Sequence, residues 1–445
     1  MLELLGSGLI SLWLEMAGVQ IKPAEALETL ALHNSRGLVL APDPHPAGST
    51  TVKEYLQELM ITKLVPENLT QSQGIWLQSG PILMANHQGT TPLPAASLTK
   101  IATSLVALKT WGPDHQFETL VSATGPIVNG LLQGDLVITG SGDPMFVWEE
   151  AIAVGNTLNQ MGIKQVTGNL VIRGNFAMNF EPNPILAGQI VKQALNHLRW
   201  TRQANYIYST MPKGTAKPQV VIAGIVVKSA SQPNPQETLL MRRRSLPLHQ
   251  LIKEMNVFSN NVMAEMLAES VGGTAKMRSQ AAKFAGVPEA EIKLINGSGL
   301  GVDNRISPRA ASAMLMAIQR EAATHNINVA DLFPISGFDR RGTMQARNMP
   351  YATVMKTGTL REVSALAGVL PTRDRGLVWF AIINHGSQIP AFRASQDRFL
   401  QALAKQLEVA PNIPSTITPN SPKDSLPKLG TASRNEILFT ANNSY

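Results

Sequence analysis

The period of the apolar residues changes several times along the chain, and each change predicts an element or its end. In residues 74–88 two short apolar runs flank Ser79-Gly80-Pro81, the pattern of a β-hairpin. Beyond Pro94, residues Leu98, Ile101, Ala102, Leu105 and Leu108 recur at helical spacing until Trp111-Gly112-Pro113 stops the run. A buried amphipathic helix is expected there, with Ser97 at its start. Residues 113–240 are rich in Gly, Pro, Val and Ile and hold two similar strings, GDLVITG at 134–140 and GNLVIRG at 168–174. These read as hairpin pieces of a separate lobe, and two copies are too few for a solenoid. From Leu248 the helical period returns through Leu251, Ile252 and Met255, breaks at Ser259-Asn260-Asn261, and resumes at Val262, Met263, Met266 and Leu267. Near the end, residues 351–356, 363–370 and 377–384 form three apolar, partly β-branched runs, which predict an antiparallel meander. A helix is expected over 394–407, and the Pro-rich, polar stretch 411–445 reads as a disordered tail.

Composition narrows the classes. With 445 residues, 44% of them hydrophobic and 16% charged, disorder over the whole length is excluded and more than one domain is expected. The organisation predicted is a discontinuous core, 23–112 and 241–410, interrupted by an inserted lobe at 113–240. Lys and Arg number 38 against 31 Asp and Glu, a net charge of +7. The densest cluster, Arg242-Arg243-Arg244, reads as a solvated turn, so a nucleic-acid partner is not implied. A mild positive balance suits long-range attraction to a polyanionic matrix such as a cell wall. The absence of Cys excludes disulfides and thiolate chemistry, and the eight His never fall at His-x3-His or HExxH spacing. No metal or other cofactor is therefore expected. Within the signal-like segment 1–22, residues 4–19 are apolar but interrupted by Glu15 and shorter than a membrane span needs. An export signal and a plain N-terminal helix both fit it, and no transmembrane span is predicted.

Three short strings carry the chemistry: Ser97-Leu98-Thr99-Lys100, Ser259-Asn260-Asn261 and Lys356-Thr357-Gly358. On a helix, positions i and i+3 share a face, so the Ser97 hydroxyl and the Lys100 amine fall within hydrogen-bond reach. A lysine desolvated by apolar packing and by a nearby cation gives up its proton more readily and can accept one from a serine. The helix start favours an oxyanion at Ser97, whose own N–H is one donor. The strand carrying Lys356-Thr357-Gly358-Thr359 can supply the second through Thr359, and Gly358 leaves room for substrate backbone. Ser-x-x-Lys alone is weak: Ser425-Leu426-Pro427-Lys428 is a second match, but Pro427 argues against a packed helix there. Lys-Thr-Gly is rarer, and the ordered triple marks penicillin-binding proteins and serine β-lactamases, usually with Asp as the middle residue of the second string. Ser298, between glycines, has no base placed for it and reads as loop structure. Asp143-Pro144 reads as a structural turn.

More than the triple matches. Pro94 to Lys100, GSGDP at 140–144, Met255-Asn256 with Ala264-Glu265, NGSGL at 296–300 with Asn304-Arg305, Gly342-Thr343 and VMKTGTL at 354–360 run in the order of one family. The sequence resembles the D-alanyl-D-alanine carboxypeptidase/endopeptidase family of low-molecular-mass class C penicillin-binding proteins, over about residues 70–390. It departs from the family pattern in an extra Ala before Ser97 and in Asn296, where Asp is usual. The resemblance implies an α+β fold, with a β-lactamase/transpeptidase-like core of antiparallel sheet flanked by helices and an inserted, mainly β lobe. It implies that Ser97 attacks the bond between two D-Ala residues of a peptidoglycan stem peptide and that Lys100 is the base. Ser259 would relay the proton, Asn261 orient the substrate amide, Lys356 add positive charge and Thr357 bind the terminal carboxylate. β-Lactams would acylate Ser97 as covalent inhibitors, and a periplasmic or cell-envelope location would follow. A β-lactamase or esterase using the same residues, or a non-catalytic wall-binding protein, are the competing readings.

Overall fold

The computed structural model describes residues 41–44, 46–230, 237–410, 412–420 and 428–439; the signal-like segment 1–22 and Ser425 to Pro427 lie outside them. The fold is α+β. Two compact units divide the chain, one of residues 1–102, 278–294 and 299–418, the other of 103–277, 295–298 and 419–445.

The first unit is built on a six-stranded sheet in the order Ala41–Pro42, Ile82–His87, Gly74–Ser79, Gly376–His385, Val363–Thr372, Val354–Leu360. All pairings are antiparallel except that of Ala41–Pro42 with Ile82–His87. The expected hairpin and meander are both present. The meander's first strand starts at Val354, because Ala352 (φ +60°) turns the chain just before it. Strand alternation places Ile75, Leu77, Val378, Phe380 and Leu366 on one face, where they pack with Tyr55, Leu59, Phe392, Phe399 and Leu403 of helices Ala47–Ile61 and Ile389–Leu407. Ala365, Ala367, Ala381 and Ile383 are equally buried on the other face. Helix Pro308–Ala323 covers that side, and Gly74 admits it: a Cβ there would stand 2.7 Å from the Pro308 ring. Both faces being covered, the meander strands read as near-continuous apolar runs rather than as alternation.

The second unit holds a sheet in the order Val226–Ser229, Leu170–Asn175, Leu136–Ser141, Glu118–Ala123, Thr238–Arg244, Asn435–Ile437. The two similar strings do not form hairpin pieces. They lie side by side in parallel, Leu136 opposite Leu170 and Gly140 opposite Gly174, because helix Trp148–Gln160 intervenes as a crossover. A third strand, Val226–Ser229, adds in parallel after helix Pro184–Ala194. Asx side chains stitch the strand starts together: Asp135 Oδ1 accepts from Asn169 N–H (2.6 Å) and Asn169 Oδ1 from Ile225 N–H (3.0 Å). Gly168 and Gly224 permit this approach, since a Cβ at either would stand within 2.5 Å of the neighbour's side-chain oxygen. The lobe therefore carries helices as well as strands, packed on Val121, Leu136, Ile138, Leu170 and Ile172.

Helices Leu248–Phe258 and Asn261–Ser270 belong to this second unit, not to the core expected from 241 onward. The N–H groups of Leu248 and His249 bond to the carbonyls of His115 and Pro113, and Asn175 Nδ2 donates to Ser270 Oγ (3.2 Å). Asp143 is buried in a turn, its Oδ1 accepting from Met145 N–H at 2.9 Å. Burial, helped by the neighbouring Glu150, pushes its carboxyl up to about 7.

Arg242-Arg243-Arg244 is not a solvated turn but the end of strand Thr238–Arg244, whose alternation sends Arg243 inward. Arg242 and Arg244 face outward and pair with Glu118 and Glu436. Nor is all of 411–445 a tail: Asn435–Ile437 pairs antiparallel with Thr238–Arg244. Glu150, 1% exposed, bonds both Arg243 Nε and Arg434 Nη2 at 2.5 Å and accepts the Gly430 N–H at 2.9 Å. Burial raises the Glu150 carboxyl, but the two guanidiniums together outweigh it and hold the group below its ordinary range. This triad ties the C-terminal segment to the lobe, and its charges were invisible in a polar, Pro-rich string. Glu150→Ala strands two buried cations and is expected to destabilise the lobe by about 3–5 kcal/mol in equilibrium urea unfolding.

Candidate active site

Ser97 lies in the 3-10 turn Ala96–Leu98, which leads into helix Thr99–Trp111. The turn is strained: Ala96, without a glycine's freedom, has φ +48°. Its neighbours hold it there. The Ala95 N–H donates to the Asn304 carbonyl at 2.9 Å, and Leu93–Pro94 pairs with Arg305–Ile306. Gly299 (φ +86°) abuts the turn so closely that a Cβ would stand 1.8 Å from the Ala96 carbonyl oxygen. The residues of the 296–305 stretch that belong to this unit thus brace the serine turn.

Lys100, one helical turn on, is fully buried, and its Nζ is hydrogen bonded to the half-buried Ser97 Oγ at 3.1 Å. Strand Val354–Leu360 brings the third string to the same place. Gly358 packs directly on the serine turn: a Cβ added to it would lie 3.0 Å from the Ala95 carbonyl oxygen and 3.1 Å from the Ser97 nitrogen. This strand ends the sheet order, so beyond Ile335, which bridges Val354, its outer edge runs past Ser97 with no further strand among the described residues. Lys356 is fully buried and donates to the Thr357 carbonyl at 2.8 Å. Burial, and then the charge of Lys100, push its ammonium well below the ordinary lysine range. Two buried amines thus lie near enough for one charge to act on the other.

Two further residues position the strand. Thr343 Oγ1 accepts a hydrogen bond from Thr357 Oγ1 at 2.9 Å, and Arg393 Nη2 donates to Thr359 Oγ1 at 2.7 Å. Gly342-Thr343 stood among the patterned stretches without a role. Arg393, on a helix remote in sequence, carried no signal.

Ser259 and Asn261 lie in the second unit. Ser259 closes helix Leu248–Phe258 in the left-handed region (φ 53°, ψ 41°), and Asn260 caps the next helix by accepting the Met263 N–H at 3.1 Å. Asn261 is the first residue of that helix and is exposed. The helix, break and helix read from the apolar period are all present. In the same unit the Glu265 carboxylate accepts the N–H groups of Gly297 (2.8 Å) and Ser298 (3.0 Å), and Ser298 is buried. Ser298 is part of the loop's structure, and Glu265, adjacent to Ala264 in the patterned stretch, is what holds the loop.

A serine bonded to a buried lysine one turn along, under a terminal strand bearing Lys-Thr-Gly, is the arrangement against which known proteins can be compared. The model of the D-Ala-D-Ala carboxypeptidase 3 (S13) family matches residues 68–178 and 186–406. The chain belongs to that family. It is a serine-type peptidase, a hydrolase, of the D-Ala-D-Ala carboxypeptidase class. The D-alanyl-D-alanine carboxypeptidase DacB of Haemophilus influenzae is 24% identical over 407 residues, covering 70% of this chain and 82% of its own. Carboxypeptidase Rv3627c of Mycobacterium tuberculosis is 26% identical over 341 residues, 66% of this chain and 71% of its own. Among solved structures, the predatory peptidoglycan endopeptidase Bd3459 of Bdellovibrio bacteriovorus has a TM-score of 0.64 at 23% identity, covering 77% of this chain and 94% of that one. Penicillin binding protein 4 of Haemophilus influenzae has a TM-score of 0.59 at 20% identity, covering 80% and 99%. These likenesses carry the fold. No helix among the described residues is long and apolar enough to cross a membrane.

Proposed function

We propose that this hydrolase cleaves the D-Ala-D-Ala end of peptidoglycan stem peptides, and cross-links of the same chemistry, through an acyl-enzyme on Ser97. The observation that carries the reading is the 3.1 Å hydrogen bond between Ser97 Oγ and the buried Lys100 Nζ, beside a strand bearing Lys356-Thr357-Gly358. Lys100 takes the Ser97 proton as Oγ attacks the carbonyl between the two D-Ala residues. The oxyanion is met by the N–H groups of Ser97 and Thr359. Substrate lies along the outer edge of the strand, its terminal carboxylate accepting from the Thr357 hydroxyl, which turns its proton from Thr343 to the substrate. Gly358, lacking a Cβ, lets this strand close onto the serine turn rather than leaving room for substrate. Ser259 passes the proton to the departing D-Ala amine, Asn261 orients the substrate amide, and Lys356 supports the relay. Water then hydrolyses the ester. β-Lactams mimic the dipeptide and stop at that ester, as in the penicillin G acylated form of Bd3459. A periplasmic or cell-envelope location follows from the substrate.

The test is to supply purified protein with a soluble pentapeptide ending in D-Ala-D-Ala and, separately, with cross-linked muropeptide dimers. Release of D-Ala from the first and monomers from the second are expected by chromatography. A folded protein that does neither and instead turns over benzylpenicillin rapidly is a β-lactamase, and the proposal falls.

A further inference from the structure

The positive charge is not spread evenly. Between Glu181 and Glu237 there is no Asp or Glu, while Lys192, Arg199, Arg202, Lys213, Lys217 and Lys228 all fall in that stretch, so it carries +6 against +7 for the chain. Arg199, Arg202, Lys213, Lys217 and Lys228 are exposed, and among the described residues none of them is paired with a carboxylate. Elsewhere several surface arginines are neutralised, Arg278 by Glu289, Arg309 by Glu291, Arg373 by Glu408 and Arg398 by Glu58, and the exposed Arg340 and Arg361 stand outside the stretch. A stretch that holds cations and no carboxylate favours an anionic partner.

The cations are interleaved with aromatic rings. Trp200 packs against Tyr208 with centroids 5.1 Å apart, His197 stands 6.2 Å from Trp200, and Lys217 Nζ lies 5.2 Å from the Tyr208 ring centroid. The group is built rather than loose. Trp200 Nε1 donates to the Ala194 carbonyl (3.0 Å), Tyr208 donates to the Thr215 carbonyl (2.6 Å), and His197 Nδ1 is 3.0 Å from the Pro218 carbonyl oxygen. Thr201 caps helix Arg202–Thr210, on which Arg202 and Tyr206 share a face, and Tyr206 is 68% exposed. Arg199 is close enough to Lys192 that, after burial, its charge helps lower that lysine's pKa.

We propose that this face of the lobe, from Lys192 to Lys217, docks the peptidoglycan polymer, whose stem peptides are anionic. The exposed cations meet the stem-peptide carboxylates, and the exposed aromatic edge of Tyr206 with its neighbours meets the apolar faces of the sugar rings. This rests on the peptidoglycan reading above and adds to it a binding surface away from the serine. It makes the enzyme's grip on polymeric wall depend on residues that a soluble peptide does not need.

The experiment compares wild type with the Arg199→Glu/Arg202→Glu/Lys217→Glu variant in co-sedimentation with purified sacculi stripped of other wall polymers, across a salt series. Thermal unfolding checks that the variant folds, and Tyr206→Ala provides a second variant that leaves the charge intact. Wild-type binding is expected to weaken as salt rises, and the triple variant to bind at least about tenfold more weakly. Acylation by benzylpenicillin and D-Ala release from the soluble pentapeptide are expected to match wild type in both variants. Equal sedimentation of wild type and the folded triple variant overturns the proposal. So does binding of wild type to duplex DNA or to anionic vesicles as tight as to sacculi at the same salt, which marks a general polyanion surface. Failure of penicillin to acylate wild type strikes the catalytic reading alone, because sedimentation is measured without turnover.

Discussion

Ser97→Ala is expected to abolish the covalent adduct that benzylpenicillin forms on the wild-type protein in intact-mass spectra, and to lower D-Ala release by at least about 10³-fold. The size follows from the nature of the step. Without the hydroxyl no ester can form, and what remains is water acting in a site that still binds substrate and stabilises its oxyanion. The substitution is conservative for stability, since Ser97 is half-buried and the turn around it is held by backbone contacts from Asn304, Gly299 and Gly358 rather than by the hydroxyl. The melting temperature should therefore stay close to wild type, which separates lost chemistry from lost fold. An adduct that persists on the Ala variant would place the nucleophile elsewhere. Ser298 is a poor alternative, because it is buried in a loop whose N–H groups are taken by Glu265.

How far the sequence went can be judged element by element. The hairpin at 74–88, the helix after Pro94, the break at Ser259 and the meander were legible because each buries one face or one stripe, and burial leaves a period. The strand Val354–Leu360 with Lys356 and Thr357, and the turn with Ser97, were legible because motif residues mark them directly. Long-range relations were not. GDLVITG and GNLVIRG repeat locally, but nothing in seven residues says whether two strands pair as a hairpin or through a crossover; the answer lies in helix Trp148–Gln160, which a Gly- and Pro-rich setting concealed. Glu150, Arg243 and Arg434 each look like surface charge until the fold buries them against one another. Thr343 and Arg393 reach the Lys-Thr-Gly strand only through tertiary packing, so spacing could not single them out.

Lys100→Ala is the second large effect expected, a fall of about 10²–10⁴-fold in the rate of acylation by benzylpenicillin, because the base is removed while the nucleophile stays. Its pH dependence separates this from a structural loss. Lys356 has no room for a full charge: burial, then the charge of Lys100, drive it towards the neutral amine. Lys356 therefore gives up its proton at lower pH than an ordinary lysine and takes it back only as the pH falls. A second positive charge then stands near Lys100 and acylation declines; as pH rises it recovers. Replacing Lys356 by Met removes that titration, so the acid limb of the acylation profile should flatten, whatever the variant's maximal rate. A limb that keeps its wild-type form would mean that Lys356 does not tune the base, and a Lys100→Ala variant acylated at the wild-type rate would mean that Lys100 is not the base at all.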